Sequence, residues 1–260
     1  CLCAGMIPSC DETTWGNVVM VRVMTLNVER SGHLDRFVPF VRQFAPDMLC
    51  LQELVESDVP AIIAGTDFRT AHFAAMARHS GAPGETPFGI GIFSHAPMQE
   101  TRSETYAGNG DGAMVLDRRT PETRVETMRF VLASAAIAFD GFTLEIATTH
   151  FPWTPDGRPS DFQFQALDRL LALVDGRSIV LTGDFNAPRG GPVFDKLADH
   201  LTDNIPPSAK TTIDPTLHRS VALELVVDGL FTSPHFAASD VALHPGLSDH
   251  QGVTATIRAT

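Results

Sequence analysis

The sequence predicts a mixed α/β protein, with β-sheet packed between helices, from three observations. Short apolar runs rich in β-branched residues alternate with stretches whose apolar residues recur at helical spacing, the order of strand–helix units. Two runs, 130–139 and 142–149, are joined by Asp140-Gly141, a two-residue turn signal that makes those strands antiparallel. The runs also stop repeatedly at an acid, an amide or an imidazole.

The first strand is expected over 19–26 (VMVRVMTL), with Asn27 at its end. Leu34, Phe37, Val38, Val41 and Phe44 then mark a helix, with Pro39 in or near its first turn and Pro46 forbidding continuation. The run 48–52 is too short for a helix and reads as a buried strand ending in Glu53. A helix over 55–65, a glycine- and proline-rich loop over 79–87 and a strand over 88–94 follow. In the second hairpin strand Leu144, Ile146 and Thr148 share a face with His150, so the imidazole emerges inward at the strand's end. Ser160 and Gln163 form a capping box for a helix whose stripe is Leu167, Leu170, Leu171 and Val174. A strand over 178–182 runs into Gly183-Asp184-Phe185-Asn186. A helix over 192–201 and strands over 221–231 and 252–258 complete the order.

With 43% hydrophobic residues the 260-residue chain is neither disordered nor fibrous. Acid outnumbers base 31 to 19, which argues against a broad electrostatic grip on nucleic acid, although a bound divalent cation can invert the local potential. No run approaches the length of a spanning helix, so no membrane segment is expected. Cys1, Cys3 and Cys10 crowd the start, where periodic sequence has not begun; residues 1–18 are expected to be a disordered or non-native leader, and 19–260 a single domain. Cys50 lies in an apolar run as a small buried hydrophobe, and no disulfide framework is implied. A cytoplasmic monomer is the expectation.

The polar residues at strand ends are Asn27, Glu53, His150, Asp184 with Asn186, and Asp249 with His250. Singly, each is explained by the turn preferences of Asp and Asn or by the need for a strand to stop. Together they supply what metal-assisted phosphoryl transfer needs: carboxylate oxygens for a hard cation such as Mg²⁺, and imidazoles and amides for the phosphate. Asp228 lies in an otherwise apolar stretch, where an unpaired charge is costly and a partner such as His250 would resolve the problem.

The segments VMTLNVE (23–29), DMLCLQE (47–53), FGIGIFS (88–94), ATTHF (147–151), LTGDFNAP (181–188), LVVDGLF (225–231) and GLSDHQGV (246–253) occur in this order. On these motifs the chain from Val21 onward resembles the endonuclease/exonuclease/phosphatase superfamily. That resemblance implies a DNase I-like fold, a four-layer α/β/β/α sandwich of two packed mixed sheets flanked by helices. It implies a metal-dependent phosphoesterase, nuclease-like, that cleaves phosphodiesters by in-line attack of an activated water. By the resemblance Glu53 would be the principal metal carboxylate, assisted by Asp249 and by Asn27 directly or through water, with Mg²⁺ as the ion and Mn²⁺ able to substitute. Asp184 would activate or orient the water, and Asn186 would position water or phosphate beside it. His150 would stabilise charge on phosphoryl oxygens, and His250 would contact phosphate or take a proton, with Asp228 fixing its tautomer.

Around its first histidine the family often adds a carboxylate from an earlier segment, for which Glu85 and Glu100 are the candidates. The lone tyrosine, Tyr106, lies in the wrong context for the AP-endonuclease branch. Trp153, Arg158 and Arg189 adjoin the motifs and are candidates to stack a base or clamp a second phosphate; a solvated face explains the arginines equally well. The expected substrate is a phosphate ester, among them nucleic-acid ends or short strands. The alternatives are a phosphomonoesterase or phospholipid-headgroup hydrolase on the same site, and a non-catalytic interaction module on this fold.

Overall fold

Two six-stranded mixed sheets face each other across one apolar layer in the computed structural model, which describes residues 19–79, 86–109, 111–112, 114–155, 157–219 and 223–260. The predicted leader, Glu85 and the start of the predicted strand 221–231 lie outside the described residues. The first sheet contains β1 (Val21–Asn27), β2 (Met48–Val55), β3 (Thr70–His79), β4 (Thr86–Ser94), β11 (Phe236–His244) and β12 (Gly252–Ala259), in the order β11-β12-β1-β2-β4-β3. The second contains β5 (Glu100–Gly108), β6 (Arg129–Phe139), β7 (Phe142–His150), β8 (Ile179–Asp184), β9 (Thr202–Asp203) and β10 (Asp228–Thr232), in the order β5-β6-β7-β8-β10-β9. Helices α1 (Leu34–Phe44) and α2 (Val59–Thr66) cover the first sheet. Helices α4 (Asp161–Val174) and α5 (Pro192–Ala198) cover the second, and the short α3 (Pro121–Glu126) precedes β6.

Strand alternation sorts the side chains. On β1, Val21 and Val23 enter the layer between the sheets while Met24 and Leu26 face the helices. Met48 and Cys50 of β2 likewise point inward, and Leu49 and Leu51 outward. Burial pushes the Cys50 thiol up to about 12, as expected of an inert core cysteine. Gln52 crosses the layer: its Nε2 donates to Thr25 Oγ1 at 3.0 Å and to Thr148 Oγ1 at 2.8 Å, tying the sheets together.

Each sheet holds one parallel pair, β1 with β2 and β7 with β8, amid antiparallel neighbours. Register aligns Asn27 with Gln52 in one pair and His150 with Asp184 in the other, while antiparallel β10 sets Asp228 beside Asp184. The carboxyl ends of the parallel strands therefore meet at one rim of the sandwich, the place where such sheets hold ligands.

Several elements differ from the sequence reading. Pro39 sits inside α1 beyond its first turn, on the exposed face, where the carbonyl it deprives of a donor can be hydrated. The predicted 55–65 helix is a 3₁₀ turn over Glu56–Asp58 followed by α2. The predicted 192–201 helix ends at Ala198, and the predicted 221–231 strand is reduced to β10, so Asp228 opens the strand instead of lying within it. No helix among the described residues is long and apolar enough to cross a membrane.

Candidate active site

Asp184, the last residue of β8, is buried at the rim where the two sheets meet. Gly183 before it makes this possible. Its φ is +150°, and a Cβ there would lie 2.1 Å from the Thr149 carbonyl oxygen, so only glycine lets β7 come this close. Asp184 Oδ2 accepts from Asn27 Nδ2 at 3.0 Å, a bond between sheets, and Oδ1 accepts from the Asn186 backbone N–H at 2.9 Å. His150 Nε2 lies 3.5 Å and His250 Nε2 3.8 Å from the same Oδ2. Asn186 holds a left-handed φ of 48°, and its amide donates to Phe151 O at 2.9 Å, locking the GDFN turn onto the end of β7.

His250 stands between two carboxylates. Its Nδ1 lies 2.8 Å from Asp228 Oδ2, and its Nε2 faces Asp184. Burial opposes its charge, but Asp228, Asp184 and Asp249 together hold its pKa well above the ordinary histidine value. The loop bearing Asp249 and His250 is pinned by Asp214, a buried residue absent from the sequence reading. Asp214 accepts from Gly246 N at 2.6 Å and from Thr216 N at 2.8 Å, while its own N–H donates to Asp249 O at 2.8 Å.

Glu53 reaches the site through a β-bulge. Strict alternation would turn it toward α1 and α2, but the register against β4 shifts between Leu51 and Leu54, and Glu53 takes a left-handed φ of 54°. The bulge brings the carboxylate into the cleft that Asn27 and Asp249 also line, and Arg30 Nε stands 3.6 Å from it. Burial raises the Asp249 carboxyl; His250 opposes that shift, and Glu29 and Glu53 add to it.

These groups line one cleft of about 630 Å³. It holds Asn27, Glu53, His150, Trp153, Asp184, Asn186, Asp249 and His250, while Asp228 stands behind His250.

Residues 24–250 match the Endonuclease/Exonuclease/phosphatase family. The chain belongs to this family. Its members are hydrolases of phosphoester bonds. The fold agrees with solved structures. An endonuclease/exonuclease/phosphatase from Beutenbergia cavernae superposes with a TM-score of 0.69 at 18% identity, covering 92% of this chain and 72% of that one. Another from Bacteroides vulgatus gives 0.68 at 18%, covering 93% and 100%. ANGEL2, described as a 2′,3′-cyclic phosphatase in complex with adenosine-2′,3′-vanadate, gives 0.69 at 14%, covering 94% and 96%. A search of curated proteins found no match.

Within this family member three candidates from the sequence lie away from the cleft. Arg189 faces away from the cleft: its guanidinium pairs with Asp203 at 2.7 Å and donates to the carbonyls of Ile205 and Pro206. Arg158 is exposed and does not line the cleft. Glu100 is no partner for His150, because it is exposed on β5 and pairs with Arg102 at 2.9 Å; Glu85 lies outside the described residues. His150 Nδ1 is buried without a hydrogen bond among the described residues. The guanidiniums that do line the cleft are Arg30, Arg118, Arg124 and Arg219. In so acidic a chain, the stretch DRRTPETR at 117–124 was the available signal for two of them.

The residues fit a divalent cation. Asp184, Asp228 and His250 present ligand atoms within 4.8 Å of one another, although the Asp228–His250 bond already engages two of the three. Glu53 and Asp249 add carboxylate oxygens, the donors that Mg²⁺ prefers, and the buried Asp249 has Glu29 and Glu53 as like-charged neighbours that a cation would offset. Asn27 is committed through both amide atoms, donating to Asp184 and accepting from Glu29 N at 3.1 Å.

Proposed function

We propose that the chain is a metal-dependent phosphodiesterase that cleaves by in-line attack of water on phosphorus. The observation that carries this reading is the Asp184 carboxylate, held from both sheets at the floor of a polar cleft and faced by two imidazoles.

In this reading Asp184 accepts the proton of the attacking water while Asn27 and the Asn186 N–H fix its orientation. Asn186 positions that water against the phosphate. His150 and His250 donate to the phosphoryl oxygens as negative charge develops, and Asp228 balances the charge on His250. The water oxygen bonds to phosphorus, the ester P–O bond breaks, and the departing oxygen takes up a proton from solvent water. Glu53 and Asp249 would hold a Mg²⁺ or Mn²⁺ ion, which supplies Lewis-acid neutralisation of the phosphoryl oxygens when bound. The neighbour described with an adenosine-2′,3′-vanadate supports a phosphorus centre bearing two ester oxygens on this fold.

The test is hydrolysis of bis-p-nitrophenyl phosphate, p-nitrophenyl phosphate and a short DNA strand with Mg²⁺ or Mn²⁺, using Asp184→Asn and Glu53→Ala as controls. Diester cleavage that disappears in both variants is expected. Cleavage of the monoester alone would replace this reading with a phosphatase. Silence on all three, with no metal uptake by calorimetry, would make the chain a non-catalytic module.

A further inference from the structure

We propose that Arg118 and Arg124, with Arg30 beside them, form a subsite for a second phosphate group of the substrate, adjacent to the scissile one. The inference rests on the phosphodiesterase reading only for what happens to the first phosphate. It begins from charge. A chain with a formal net charge of −12 gathers four guanidiniums at one cleft, which is also lined by Glu29, Glu53, Asp184 and Asp249. Arg30 and Arg219 are partly answered, at 3.6 Å from Glu53 and 3.4 Å from Glu29. Arg118 and Arg124 make no ion pair or hydrogen bond with a described residue. Between them in sequence, Arg119 is tied to Asp117 through Nε and Nη2. Asp117 thus serves the outward arginine and leaves the two cleft arginines without a direct ion pair among the described residues.

The frame that carries them is held at both ends. Arg78 N donates to Met114 O and Leu116 N to Arg78 O, a parallel bridge that fastens the segment to β3. Farther on, Asp117 N donates to Thr127 Oγ1, and Thr120 caps α3 through a reciprocal bond with Thr123. Arg124 then extends from α3 over the Trp153 ring, 4.9 Å from its centroid, which orders the guanidinium at the cleft mouth without neutralising it. Desolvation lowers the pKa of both cleft arginines and Arg30 lowers it further, with Arg124 adding to the effect on Arg118 and the Glu53 carboxylate opposing it at both.

The geometry also says how the substrate would extend. Arg30 and Arg118 line the catalytic cleft and also a second groove of about 730 Å³, which contains His79 and Leu116. The two arginines form the saddle between them. A ligand with one phosphate occupies only the carboxylate side, whereas one with a second phosphate on the same framework reaches the saddle, where the planar guanidinium fork suits phosphate oxygens. The second phosphate could come from an oligonucleotide backbone or from a phosphorylated polyol headgroup.

The experiment is equilibrium binding by calorimetry in EDTA, so that its result does not depend on turnover. The probes are thymidine 5′-monophosphate, thymidine 3′,5′-bisphosphate and inositol 1,4-bisphosphate, titrated into the wild type, Arg118→Gln, Arg124→Gln and Arg124→Lys. Arg118 is exposed, so its variant does not put the fold at risk; thermal melts check the half-buried Arg124. At least one bisphosphate is expected to bind the wild type about tenfold or more tighter than the monophosphate, and the advantage to shrink to about threefold or less in both glutamine variants. The bisphosphate with the larger advantage identifies the source. Equal affinity for one and two phosphates, no bisphosphate binding at millimolar concentration, or an advantage that persists in both variants would overturn the subsite. Absence of bis-p-nitrophenyl phosphate turnover with the binding advantage intact would instead count against the catalytic reading alone.

Discussion

Asn27 donates to Asp184 at 3.0 Å from the opposite sheet, making the central carboxylate of the site a shared property of both halves of the sandwich. Asn27→Ala removes one of the two donors that orient it. A fall in kcat of about 10–100-fold is expected, the usual cost of deleting a group that orients a site residue, with about 1 kcal/mol of stability lost. Asn27→Asp would set a like charge against Asp184 and lower activity further. Steady-state kinetics with urea titration of both variants checks the order.

Asp228 stands 2.8 Å from His250, and in the proposed mechanism it acts only through that imidazole. Asp228→Asn keeps the volume but not the charge, and a loss of about 10–100-fold in kcat with little change in KM is expected. An equal change in KM would instead place Asp228 in substrate binding.

Glu53 has a left-handed backbone at the bulge, a conformation that costs a side-chain-bearing residue about 1 kcal/mol or more. Glu53→Gly is expected to raise stability by about 1 kcal/mol while abolishing hydrolysis and weakening Mn²⁺ binding. Chemical denaturation and calorimetry on the same preparation test both halves; a destabilised variant would show that the strain is absent.

His79 is held to a pKa of about 4 by burial first, then by Arg30 and Arg118. A histidine whose folded pKa is depressed stays neutral in the fold, so its contribution is complete above the unfolded value near 6.5 and disappears as pH falls through about 4. His79→Phe, which keeps a ring against Phe88, is expected to flatten that part of the wild-type decline between pH 6.5 and 4. Melts at half-unit pH steps measure it, and parallel wild-type and variant curves would refute it.

Arg189 belongs to the fold, through Asp203 and the carbonyls of Ile205 and Pro206. Arg189→Ala is expected to cost about 1–3 kcal/mol of stability with kcat and KM for a small diester unchanged. A KM rise without destabilisation would return it to the substrate site.

Much of the architecture was readable because β1, β2 and β8 are apolar runs closed by single polar residues, and the Ser160–Gln163 box announces α4. The strands that escaped notice have other compositions. TAHFAAMARH of β3 is rich in alanine, ETRSETYAG of β5 is an edge strand largely exposed, and FAASDVALH of β11 has its alternation broken by a bulge at Ser239/Ala242. In the cleft, residues at strand ends could be found because their position follows from the strand. Arg189 adjoins GDFN in sequence, yet Asp203 on the two-residue β9 draws it away. Arg118 and Arg124 come from a connection whose path over the rim is fixed only by tertiary bonding.

The Gln52–Thr148 bridge and the Asn27–Asp184 bond both depend on two sheets seated in register. Turnover is therefore a sensitive gauge of how the halves dock: a small slip of one sheet past the other would leave circular dichroism unchanged while separating the Asn27 amide from Asp184. Under gentle heating or low denaturant, such a protein should fall silent before it unfolds.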